Sequence, residues 1–176
     1  TGQPQFDEYT LGELCLGGAK PYVWNYLLFL LIRSFRPVNC LEIGTSIGVS
    51  ASYQSAALTL NGAGTIYTLE GSEDLSRAAD RHLARIGVAC ARSHIGIFQD
   101  TLPGVLRAMG KVDYAFIDGH LDPAATLRYF DTIKPFLADN ALYVCSWIRW
   151  SEGMHRAWLK IISDPCVVCS ADIYKY

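Results

Sequence analysis

Short β-like runs alternate with amphipathic helical stretches from residue 39 to residue 173, and this alternation restricts the fold more than any other feature of the chain. The β-like runs are 39–43 (NCLEI), 65–69 (TIYTL), 92–96 (RSHIG), 112–117 (VDYAFI), 140–147 (NALYVCSW) and 166–173 (CVVCSADI). Between them Val49, Tyr53, Ala56, Ala57 and Leu60 recur at helical spacing, as do Leu75, Ala78, Ala79, His82, Leu83 and Ile86. A third helix is predicted to start at Pro123 with Asp122 as its N-cap and to carry Leu127, Phe130 and Ile133. A fourth has Ser151 as cap and the stripe Met154, Trp158 and Ile161. Strands separated by helices of this length imply right-handed crossovers, hence an α/β fold with a mainly parallel sheet covered by helices on both faces. Ligands bind such sheets beyond the carboxyl ends of the strands, so functional residues are expected there.

Composition narrows the partner. The chain has 176 residues, 51% of them apolar and 18% charged, enough for one domain with a sizeable core. A net charge of −2 with scattered Lys and Arg gives no footprint for nucleic acid or an anionic membrane surface, which leaves a small molecule. The longest apolar run, 22–32 (YVWNYLLFLLI), is interrupted by Asn25 and falls short of the roughly 20 residues a membrane span needs. It reads as a buried helix. No secretory signal opens the chain, and a cytoplasmic location is expected.

The six cysteines do not suggest a metal or a disulfide framework. Cys166 and Cys169 form a CxxC inside the sixth β-like run, where residues three apart face opposite ways, while Cys15, Cys40, Cys90 and Cys145 stand singly among apolar neighbours as small buried hydrophobes.

The first strand end reads LEIGTSIGVS, with Glu42 two residues before Gly44 and with Ser46, Gly48 and Ser50 beyond it. Glycine permits positive φ and close approach of a ligand, and the helix that follows offers open N–H groups to an anion. The spacing GxxxG is not the dinucleotide fingerprint GxGxxG. A carboxylate here would repel a pyrophosphate but can accept hydrogen bonds, directly or through water, from a ligand ammonium, so the ligand should carry both an amine and an acid. Glu70 ends the second strand, where an acid meets the two hydroxyls of a ribose; together the two acids suggest an amino acid joined to a nucleoside. Ile97 and Phe98, after the third strand, are placed to cover a purine, with core packing an equal alternative. Asp118 ends the fourth strand in FIDGH, behind four apolar or aromatic residues, a position that packing explains poorly.

The ordered motifs LEIGTSIGVSASY, YTLEGS, GIFQDTLP and VDYAFIDGH resemble the successive cofactor motifs of class I S-adenosylmethionine-dependent methyltransferases, particularly the small bacterial O-methyltransferase-like branch. The resemblance spans about residues 20 to 175. It implies a Rossmann-like doubly wound fold in one domain, 1–176, made of an N-terminal helical segment (1–37) and a cofactor-binding α/β core (38–176). It further implies that Glu42, Gly44, Thr45, Ser46 and Gly48 surround the methionyl part of S-adenosylmethionine and that Ser50 lies near its carboxylate. Glu70 with Gly71 would hold the ribose, and Ile97 and Phe98 would edge the adenine. Asp118 matches an acid that ligates a divalent cation in metal-dependent members and lies near the sulfonium or substrate in others.

The chain departs from that family after the fifth strand, where two oxygen ligands are replaced by Ser146 and Trp147; Asp118 beside an indole and a guanidinium is a poor site for a hard cation. No metal is therefore expected. Trp147, Arg149 and Trp150 are expected to wall the acceptor pocket, and His120, displaced by one position from the family's histidine, is a candidate general base beside Asp118. His82 and His155 are read as structural. The resemblance also implies a seventh, antiparallel strand; the sequence ends at Tyr176, just after the sixth β-like run, so either its C-terminus is incomplete or the sheet edge differs. The expected activity is methyl transfer from S-adenosylmethionine to an oxygen or nitrogen nucleophile of a small molecule, with S-adenosylhomocysteine as product and a homodimer allowed for. The alternative is a domain that keeps the nucleoside site without catalysis; a nicotinamide-dependent oxidoreductase is disfavoured by the glycine spacing.

Overall fold

The computed structural model describes residues 20–173. Five strands, β1 (Asn39–Ile43), β2 (Thr65–Glu70), β3 (Ala91–Ile95), β4 (Val112–Ile117) and β5 (Leu137–Cys145), form one parallel sheet in the order β3-β2-β1-β4-β5. Six helices connect or flank them: α1 (Tyr22–Phe35), α2 (Val49–Asn61), α3 (Glu73–Arg85), α4 (Phe98–Met109), α5 (Pro123–Ile133) and α6 (Glu152–Ile162). The winding runs outward from β1 to β3 and then returns to place β4 on the other side of β1. That reversal puts the switch point, where ligands bind in such folds, between the carboxyl ends of β1 and β4.

Alternate residues of β1 feed two cores. Leu41 and Ile43 pack with Leu69, Leu102, Leu106 and Ile117 on the α4–α5 face, whereas Cys40 packs with Leu28, Ile32, Leu58, Ile66 and Phe116 on the α1–α2 face. Burial of both faces is what a parallel sheet requires, and each fully buried Leu, Ile or Phe contributes about 1.5–3 kcal/mol. The caps read from the sequence are present: Asp122 accepts the Ala125 N–H at 2.6 Å, and Ser151 accepts that of Met154 at 3.1 Å.

Two expectations are corrected. The apolar run at 22–32 does form a helix, but only Asn25, Leu28 and Ile32 of α1 are buried. Tyr22, Val23, Tyr26, Leu30 and Phe35 are exposed, because α1 turns one face to α2 and the sheet and, among the described residues, no further helix packs closely on its other side. The run 166–173 is not a strand. Asp164 accepts the Cys166 N–H and its carbonyl accepts that of Val167, which turns the chain away from the sheet, and Val168 lies exposed with no strand of the described residues beside it. Its β-branched residues gave a strand-like pattern with no partner to pair with. The opposite-face reading of Cys166 and Cys169 falls with the strand, and both are exposed thiols. Cys40 is buried, Cys90 and Cys145 are half-buried, and Cys15 lies outside the described residues.

Candidate active site

After β1 the chain turns through Gly44 (φ 98°), Ser46 (φ 48°) and Gly48 (φ 85°) into α2. The N–H groups of Gly44 and Thr45 both donate to the Leu69 carbonyl, at 2.9 and 3.1 Å, so the tip of β2 anchors the turn. A Cβ on Gly44 would stand 2.8 Å from the Gly119 nitrogen and 2.9 Å from the Asp118 oxygen. Only glycine lets the β1 turn lie against the β4 loop. Among the described residues no side chain caps the start of α2, which leaves its first N–H groups without a side-chain partner there.

Glu70 holds the turn from the side. Its Oε2 accepts the Ser46 N–H at 2.7 Å and its Oε1 accepts the Ser72 N–H at 2.9 Å. A carboxylate has further lone pairs for two adjacent hydroxyls.

Glu42 lies beneath the turn. It is 0% exposed, on the α2 side of the sheet, and accepts from Ser50 Oγ and Gln54 Nε2 at 2.7 Å each and from Thr68 Oγ1 at 2.5 Å. Thr45, buried as well, shares a 2.5 Å hydrogen bond with Thr68. The Glu42 carboxylate is thus a strut beneath the turn, out of direct reach of a ligand ammonium, and the Ser50 hydroxyl and Thr45 side chain belong to the same strut. Burial pushes Glu42 up to about 7, against the hydrogen bonds from Thr68, Ser50 and Gln54.

Asp118, at the end of β4, meets a residue that sequence spacing does not connect to it. Lys20 Nζ lies 2.6 Å from its Oδ1, and the Ser146 hydroxyl donates to the same oxygen. The ammonium also stands 4.3 Å from the centre of the Trp147 ring, within cation–π range. Both charged side chains are nearly enclosed, at 10% and 12% exposed. Burial lowers the Lys20 amine below its ordinary value, and Asp118 opposes that shift.

His120 (φ 53°) shares a 2.7 Å hydrogen bond between Nδ1 and the Tyr129 hydroxyl, and its ring lies 5.3 Å from that of Phe98. Phe98 packs in the core: its ring would collide with a Cβ on Gly119, and it lies among Leu102, Leu106 and Tyr129. Ile97 beside it is 64% exposed at the start of α4, and Gly71 faces open space. Trp147 (φ 57°) and Trp150 meet edge to face at 5.4 Å, both exposed, while Arg149 pairs with Asp172 at 2.5 Å. Ser46, His120 and Trp147 place non-glycine residues at positive φ just beyond β1, β4 and β5, and such strain gathers at functional edges. His82 holds the Ile47 carbonyl through Nδ1 at 2.9 Å, a structural role.

Lys20, Thr68, Gln54 and Tyr129 are the site residues that the sequence did not suggest. Thr68 and Gln54 had a signal, as polar residues inside apolar periodic stretches. Lys20 had none, because it reaches Asp118 across 98 positions.

Residues 41–146 match the methyltransferase domain family, and the chain belongs to that family. Among solved structures, the O-methyltransferase TomG from Streptomyces achromogenes, in complex with SAM, is 25% identical with a TM-score of 0.69, covering 81% of this chain and 69% of its own. The O-methyltransferase from Bacillus cereus, in complex with SAH, is 21% identical with a TM-score of 0.69 over 83% of this chain and 71% of its own. The SAH-bound methyltransferase PaMTH1 from Podospora anserina is 20% identical with a TM-score of 0.72 and the same coverage. No curated protein matches the sequence. The sheet and helices described above are the Rossmann-like class I methyltransferase fold.

Proposed function

We propose that this protein transfers a methyl group from S-adenosylmethionine to an oxygen of a small-molecule acceptor, without a divalent metal. The observation that carries the reading is Glu70 at the tip of β2, bound to the glycine turn and flanked by the open N-terminus of α2. Those groups suit a ribose and a carboxylate respectively, and Ile97 supplies an exposed apolar edge for the base. The cofactor's sulfonium provides the activated methyl and a good leaving group, so the chain's own work is to orient the acceptor and exclude water. His120 is the proposed proton acceptor. Nδ1 and the Tyr129 hydroxyl share a hydrogen bond, and the tautomer this role requires is the one in which Nδ1–H donates to the Tyr129 oxygen and Nε2 is left to take the proton.

Independence from metal is supported by the company Asp118 keeps, an ammonium and a hydroxyl on the same oxygen. A cytoplasmic setting is part of the proposal, consistent with five unpaired thiols among the described residues. No helix there is long and apolar enough to cross a membrane.

The second reading, a domain that binds the nucleoside without turnover, is favoured by the same pairing of Asp118 with Lys20, which occupies the acid. Radiolabelled methyl transfer to a panel of small phenols, carboxylates and amines, run with and without a chelator, separates the two. Chelator-resistant transfer supports the proposal. Transfer that requires added Mg²⁺ overturns the metal-free mechanism, and cofactor binding with no transfer to any of the panel favours the second reading.

A further inference from the structure

Lys20 is held in place with more care than a surface lysine needs. Buried Asn25 donates from Nδ2 to the Lys20 carbonyl at 2.8 Å, fixing the backbone just before α1. The side chain then runs to the switch-point edge, where Asp118 takes one N–H of the ammonium and the Trp147 ring faces it. An ammonium has three N–H donors, so this one retains donors for a third partner. Trp147 and Trp150 stand exposed beside it as two indole faces at right angles.

We propose that Lys20 is the acceptor-positioning cation of this site and that it binds the ionised oxygen of an aromatic acceptor, whose ring lies against Trp147 and Trp150. This rests on the methyl-transfer reading above. A fixed positive charge stabilises an oxyanion over its protonated form, and in a nearly enclosed position that effect is larger than in water. The indole faces favour a flat ring over an aliphatic chain. The acceptor's proton goes to His120 as it ionises; the oxyanion then forms the new C–O bond while the methyl–sulfur bond breaks and its electron pair stays on sulfur. Asp118 in this account does not ligate a metal; it aims Lys20.

The probe is 4-nitrophenol, whose ionised form absorbs in the visible range, titrated in the presence of S-adenosylhomocysteine at a pH where the free probe is mostly protonated. The native protein should show a saturable phenolate band, and Lys20→Arg should retain it. Lys20→Met should lose it, with binding weakened at least tenfold. Because Lys20→Met leaves Asp118 without its counter-ion, the double variant Lys20→Met/Asp118→Asn is measured beside it, and it too should lack the band while melting as a folded protein. An undiminished band in either variant overturns the proposal, as does the absence of a band in native protein that binds S-adenosylhomocysteine by calorimetry. Failure of the native protein to bind S-adenosylhomocysteine overturns the methyl-transfer reading instead, and this inference with it.

Discussion

Oε2 of Glu70 accepts the backbone N–H of Ser46 at 2.7 Å, which ties the tip of β2 to the glycine turn after β1. The turn's shape and the acid proposed to hold the ribose are therefore one unit. Ser46 sits at φ 48°, a conformation costly for a residue with a side chain, and the bond to a charged acceptor offsets part of that cost.

Gly44 makes the contact between the two loops possible, and Gly44→Ala should show it. An added methyl meets the backbone of Asp118 and Gly119 below 3 Å at a φ that disfavours any side chain. The expected loss is roughly 2–4 kcal/mol of unfolding free energy, read by urea denaturation. A loss under about 0.5 kcal/mol would mean that the loops separate easily.

Glu42 should make stability depend on pH. Its folded value, about 7, lies above its ordinary 4.5, so the folded protein holds a proton there that the unfolded chain releases. The contribution is complete below about 4.5 and is lost as pH rises through about 7, a change of up to roughly 3 kcal/mol. Glu42→Gln should flatten that part of the profile, since a neutral amide can face Ser50, Gln54 and Thr68 with a rotated threonine hydroxyl. Urea titrations of both proteins at pH 5 and pH 8 measure the difference; identical slopes would remove Glu42 from the account.

His120→Ala should lower kcat by roughly 100-fold, the lower end of general-base contributions, without changing S-adenosylhomocysteine affinity. Tyr129→Phe should give a smaller fall, because it removes only the partner that orients the imidazole. Unchanged kcat in His120→Ala would assign the histidine to the loop's structure alone.

Much of the architecture was legible because it depends on local rules. Asp122 with Pro123, and Ser151, announce their helices through cap chemistry that needs no tertiary partner. The glycine turn and its strand-end acids were equally visible. What was not legible depends on how the strands pair and what covers each face. The partners of Glu42 were not visible, since its register against Thr68 is what sets it under α2. The apolar α1 looked buried because sequence does not reveal that, among the described residues, α2 and the sheet cover one face of it. The run 166–173 had strand composition, and the turn at Asp164 denied it a neighbour. Phe98 was balanced between core and ligand edge, and its packing under Gly119 depends on a loop contact that the sequence does not show.

The central claim is that Glu70 and the turn it holds form the nucleoside site of a methyltransferase, and calorimetric titration with S-adenosylhomocysteine tests it most directly. The account predicts saturable binding to the native protein and a loss of roughly tenfold or more in Glu70→Ala, the size expected for removing hydrogen bonds to a charged group. No binding to well-folded native protein, or equal affinity in Glu70→Ala, would contradict it.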